Sequence, residues 1–138
     1  MTVDVDRLRR LPLFGELDHH DLSTIAHLVE ETDAPVGHVL FEQGSIPYEM
    51  LVIEEGTAEV TKDGQTVGTI GPGDVVGEIA LLRFQRRMAT VRVTSRITAV
   101  TLSADDLQVI EEEMPEIAGQ LRSIMAARER ALSEPADD

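Results

Sequence analysis

The chain has 138 residues, with 12 Lys and Arg against 26 Asp and Glu for a formal charge of −14, and no cysteine. That length fits one domain able to bury about two thirds of its unfolded surface, while the missing cysteines exclude disulfide and thiol chemistry and fit a reducing, cytoplasmic setting. The negative charge repels a polyphosphate backbone, and Phe14, Phe41, Tyr48 and Phe84 are too scattered to form a stacking platform, so nucleic-acid binding is not expected.

Residues 1–10 are charged and lack an apolar signal segment, and no later run approaches the roughly 18 apolar residues of a membrane span. Leu8, Leu11, Leu13, Phe14 and Leu17 form an apolar entry segment. Asp18 and Asp21 give a capping arrangement, after which Leu22, Ile25, Leu28 and Val29 recur at helical spacing and predict a helix over 19–31 that stops before Pro35. The helical entry as a whole is placed at 4–31.

From Gly37 to Gly77 the texture changes, with eight of the ten glycines separating the short runs 39–41, 50–53, 57–60 and 66–70. Such spacing predicts antiparallel strands. Asp63-Gly64 is a tight-hairpin signal and Gly71-Pro72-Gly73-Asp74 a second sharp turn. Two more strands, 90–94 and 98–102, complete a β region at 32–102. The expected fold class is mainly β with flanking helices, an antiparallel, jelly-roll-like β-roll with helices at both ends.

Ser103 with Asp106 three residues on is another cap, and Pro115 suits the first position of a further helix, which together place C-terminal helices at 104–132. Met114, Ile117, Leu121, Ile124 and Arg128 alternate by three and four, an apolar stripe able to seal a pocket or pair with a second copy along 114–132. Residues 133–138 form a polar tail. A single domain is therefore expected over 1–132.

The most informative segment is Gly77-Glu78-Ile79-Ala80-Leu81-Leu82, followed after four residues by Arg87-Met88-Ala89-Thr90-Val91. A carboxylate and a guanidinium around a short helical turn suit a sugar phosphate: Glu78 can accept from ribose hydroxyls and Arg87 can grip a phosphate bidentately. Amides opening the turn at Ala80 and Leu81 add donors. Arg83, Arg86 and Arg87 supply local positive charge on an otherwise acidic chain.

The segment 77–91 resembles the phosphate-binding cassette of cyclic nucleotide-binding domains, as in protein kinase A regulatory subunits and catabolite activator proteins, and the resemblance runs from about Leu11 to about Ile110. It implies that Glu78 binds the ribose 2′-hydroxyl and Arg87 the cyclic phosphate, with Gly77, Ile79, Ala80, Leu81, Met88 and Ala89 completing the cradle. Met88 has no hydroxyl where members that favour cyclic GMP often carry Ser or Thr, so cyclic AMP is the expected ligand. The resemblance places Leu132 and Ser133 near the base-capping position, with Met125, Ala126 and Arg130 as neighbours able to substitute.

The same resemblance implies a receptor and not an enzyme, one that passes the binding event through its C-terminal helices to a separate effector protein. With no output domain after residue 132, the sequence reads as a standalone module. The alternative is a degenerate cassette acting as a ligand-independent interaction module, presenting Phe84 and its flanking arginines to a protein partner. His19, His20, His27 and His38 show no metal-ligand spacing, and no serine has an evident activating base, so neither a metal site nor a catalytic site is expected.

Overall fold

The computed structural model describes residues 3–83 and 85–133, except for the side chains at 79, 81, 82 and 128–133. Two helices open it: α1 (Val5–Arg9), capped by Asp4 accepting from the Arg7 amide, and α2 (His19–Leu28), capped by Asp18 accepting from the Asp21 amide. The strands follow: β1 (Glu30–Ala34), β2 (Val39–Phe41), β3 (Glu49–Lys62), β4 (Gln65–Ile70) and β5 (Val75–Val76). The short helix α3 (Glu78–Arg83) then leads to β6 (Thr90–Ser103), α4 (Ala104–Glu113) and α5 (Pro115–Ser133).

All pairings are antiparallel, in the order β1-β6-β3-β4, with β2 added to β6 and β5 to β3. The mainly β fold with flanking helices is therefore the one expected. Alternation along the two long strands serves two cores, because successive side chains point to opposite faces. Met50, Val52, Val100 and Leu102 pack with the helices, whereas Leu51, Ile53, Ile97 and Ala99 fill the roll with Phe41, Val76, Val91 and Val93.

Three boundaries differ from the sequence reading. The helix expected over 19–31 ends at Leu28, because Val29 turns to ψ 158° and Glu30–Ala34 pair with Ile97–Thr101. The roll therefore starts at residue 30. The runs 50–53 and 57–60 are one strand, β3, bulged around Gly56 at φ +93°, and 90–94 and 98–102 are likewise the single strand β6. The Asp63-Gly64 turn joins β3 to β4 with both residues at positive φ, and the Ser103/Asp106 capping box is present.

The described apolar members of the α5 stripe pack within their own chain. Ile117 and Leu121 join Ala118, Met125 and Ile110 in the core shared with α1 and α2, with Met114 and Ile124 packed against it. Helix α5 thus closes the helical end of the domain.

Candidate functional site

Strand β5 delivers the chain to Gly77, whose φ of +87° lies where an L side chain is disfavoured. Space forbids one as well: a Cβ there would sit 2.5 Å from Arg87 Nη1 and 2.6 Å from Phe41 Cε2. Glu78 opens α3 and is 5% exposed, with Ala80 buried behind it. Ile79 and Leu81 lie on the same helix, their side chains outside the description.

Arg87 is anchored at its backbone and its side chain. Its amide donates to the Ser45 carbonyl at 2.9 Å, and its carbonyl accepts from the Gly44 amide at 2.8 Å. The side chain is only 5% exposed. Nη1 donates to the Gly77 carbonyl at 2.7 Å, Nη2 donates to the Glu49 carbonyl, and the guanidinium carbon lies 3.7 Å from the centre of the Phe41 ring. Burial lowers the Arg87 pKa from its ordinary value, opposed by the carboxylates of Glu49 and Glu78.

The chemical consequence is a buried cation whose two side-chain hydrogen bonds end on neutral carbonyl oxygens. An anion brought to it gains charge-assisted bonds in a poorly screened setting. A cavity of about 170 Å³ opens beside the guanidinium, lined by Gly77, Glu78, Ala80, Arg87, Met88 and Ala89, with apolar walls from Phe41, Val60, Val75, Val76 and Val91. Most of the sequence-predicted cassette therefore meets at one place. Met88, at 45% exposure, sits on its rim.

The C-terminal candidates do not join this cavity among the described residues. Ser133 ends α5, and its side chain, like those of Leu132 and Arg130, lies outside the description. Met125 is buried in the helical core and does not line the cavity. Phe84 is outside the described residues. Arg86 is exposed and donates from Nη1 to the Gly44 carbonyl at 2.9 Å, holding the loop and not the cavity. Sequence reasoning missed Phe41, the Glu49 carbonyl and the valine walls, since the fold alone brings β2 and β3 against the cassette.

The four histidines are exposed, and no cluster of metal-ligating side chains occurs among the described residues. Among the described residues no helix is long and apolar enough to cross a membrane.

Residues 31–113 match the cyclic nucleotide-binding domain family, and the chain belongs to it. It is similar to a cyclic nucleotide-gated potassium channel of Rhizobium etli, 30% identical over 118 residues, or 86% of this chain and 33% of the channel. The regulatory domain of Toxoplasma gondii PKA, solved with cAMP, is 31% identical with a TM-score of 0.67 over 77% of this chain and 42% of that one. A solved Geobacter metallireducens protein superposes at a TM-score of 0.83 with 26% identity, covering 94% of this chain and 97% of its own. The chain spans about a quarter to a third of the length of the channels and kinase regulatory subunit it matches. Domains of this family are regulatory and non-catalytic, and this one is related to cAMP receptors.

Proposed function

We propose that the chain is a receptor module for cyclic AMP in which Arg87 takes the cyclic phosphate and Glu78 the ribose 2′-hydroxyl. The observation that carries this reading is the burial of Arg87, whose side-chain hydrogen bonds among the described residues end on carbonyl oxygens, in the wall of a cavity that Glu78 also lines. Gly77 allows the close approach, and Ala80 and Leu81 lie in the first turn of α3, where backbone N–H groups have no partner inside the helix. Ile79 stands in that same turn, Met88 and Ala89 also line the cavity, and Ser133 is the proposed base contact from the end of α5.

The cavity is smaller than the roughly 300–1,000 Å³ of ordinary small-molecule pockets, so a nucleotide extends beyond it or widens it. Widening ties binding to motion of the flanking segments. The signal then passes through residues 104–132 to a separate effector protein, because a ligand shifts an arrangement only by binding its two forms unequally. Pairing of two copies along 114–132 is the second output route, and it has to use the face of α5 that its own core leaves uncovered. The absent hydroxyl at Met88 and the cAMP-bound relative both favour cyclic AMP over cyclic GMP.

Titration of the purified protein with cyclic AMP and separately with cyclic GMP tests the ligand. Micromolar or tighter binding of cyclic AMP, weaker for cyclic GMP, is expected; no binding of either overturns the receptor reading and leaves a ligand-independent interaction module. Amide exchange tests the output: residues 104–132 are expected to change protection at saturating ligand, and an unchanged pattern there removes the proposed route.

A further inference from the structure

The Arg87 guanidinium is held on three sides by groups from separate parts of the chain. The carbonyls of Gly77 and Glu49 take two of its edge N–H groups, and the Phe41 ring from β2 lies 3.7 Å beneath its face. Phe41 is itself 7% exposed and packed with the roll core. The ring cannot move aside easily, because its edge already meets the Gly77 backbone, where a single added Cβ would lie 2.6 Å and 2.9 Å from two ring carbons.

Building on the cyclic nucleotide reading above, we propose that Phe41 is a positioning residue of the anion site, its ring fixing the plane of the Arg87 guanidinium for the phosphate. The two carbonyls restrain that plane only along two edges and leave it free to tilt; the ring closes the remaining direction. Arginine carries five N–H donors in a rigid fork, so those not taken by the carbonyls remain for an anion. A side chain immobilised before the ligand arrives loses less freedom on binding. A cation over an aromatic face is also favourable electrostatically, an attraction no aliphatic side chain of similar size provides.

The test compares Phe41→Leu, which keeps apolar bulk, with Phe41→Tyr, which keeps the ring. Both are checked for a cooperative thermal transition and titrated with cyclic AMP. The leucine variant is expected to lose affinity about 3- to 30-fold, while the tyrosine variant stays within about twofold of the unaltered protein because its ring face is retained. Equal affinity for the leucine variant, or equal losses in both, overturns the positioning role and leaves Phe41 as core packing.

The Nε–H resonance of Arg87 in the ligand-free protein gives an independent readout. Ring-current shift of that signal in the unaltered and tyrosine proteins, absent in the leucine variant, supports the stack; one position in all three overturns it. Should the unaltered protein bind no cyclic nucleotide, the receptor reading fails, while this resonance still decides whether Phe41 positions Arg87.

Discussion

Arg87 donates from Nη1 to the carbonyl oxygen of Gly77 at 2.7 Å, joining the two ends of the cassette across the turn formed by α3. The bond explains why glycine and arginine belong to one device. Gly77 presents its carbonyl from a left-handed conformation, and the lack of a Cβ lets the guanidinium come near enough to donate to that carbonyl.

Gly77→Ala is accordingly expected to damage both fold and site. The new Cβ meets Arg87 Nη1 and the Phe41 ring below 3 Å, and the backbone at φ +87° is strained for alanine. A loss of about 1–3 kcal/mol is expected. Urea unfolding monitored by circular dichroism measures it; a midpoint equal to that of the unaltered protein contradicts the packing described around Arg87.

Glu78 is buried at the cavity, where an unsatisfied ribose hydroxyl is costly. Glu78→Ala is expected to weaken cyclic AMP binding by about 1–3 kcal/mol, roughly five- to 150-fold. The partner atom is identified with 2′-deoxy cyclic AMP: the unaltered protein discriminates against it, and the alanine variant binds both ligands alike. Discrimination that persists in the variant places the 2′-hydroxyl against some other group.

Arg7 ties α1 to the sheet. It bonds Glu54 at 2.5 Å and 3.0 Å and lies 2.8 Å from Glu31, and those carboxylates raise its pKa above the ordinary value. All three side chains are partly buried, so removing Arg7 leaves two carboxylates without the cation they share. Arg7→Ala is expected to cost about 1–3 kcal/mol and to speed amide exchange at Leu8 and Leu11. Unchanged protection at both amides argues that the helix is held by its apolar contacts alone.

The pair Asp33 and Arg96 links β1 to the middle of β6 and gives an acid-sensitive contact. The Arg96 guanidinium holds the Asp33 carboxyl below its ordinary value of 3.8. A depressed carboxylate contributes stability above its unfolded pKa, and that contribution disappears as pH falls through the folded pKa. The pair is solvent-exposed, so the effect is small. Melting temperatures below about pH 4 should fall slightly less steeply in Arg96→Gln than in the unaltered protein, and parallel curves contradict the coupling.

Much of this was legible in the sequence because local chemistry and tertiary need agree there. The Asp18 cap, the Ser103/Asp106 box and the Asp63-Gly64 hairpin appear where residue types place them. Disagreement came where pairing overrides pattern. Glu30 and Glu31 continue a helical period yet lie in β1, since the backbone of β6 offers them hydrogen bonds that outweigh local preference. Gly56 reads as a turn, but it is a bulge inside β3 that brings the backbone against Arg96, where a Cβ would fall 2.1 Å from the carbonyl oxygen.

In the site, Gly77, Glu78 and Arg87 stand close in sequence and carry their chemistry in their residue types. Phe41 does not. It is an ordinary apolar strand residue until β2 and β6 pair and set its ring under Arg87. The Glu49 contact is invisible for another reason: its partner atom is a backbone carbonyl, which every residue possesses.

The central claim, that Arg87 is the phosphate contact of a cyclic AMP receptor, is tested most directly by isothermal titration of cyclic AMP into the unaltered protein and Arg87→Ala side by side. Losing one partner of a desolvated charge pair costs about 2–5 kcal/mol, so the account predicts micromolar or tighter binding that weakens at least about thirtyfold in a variant that still melts cooperatively. Equal affinity in the two folded proteins would contradict it.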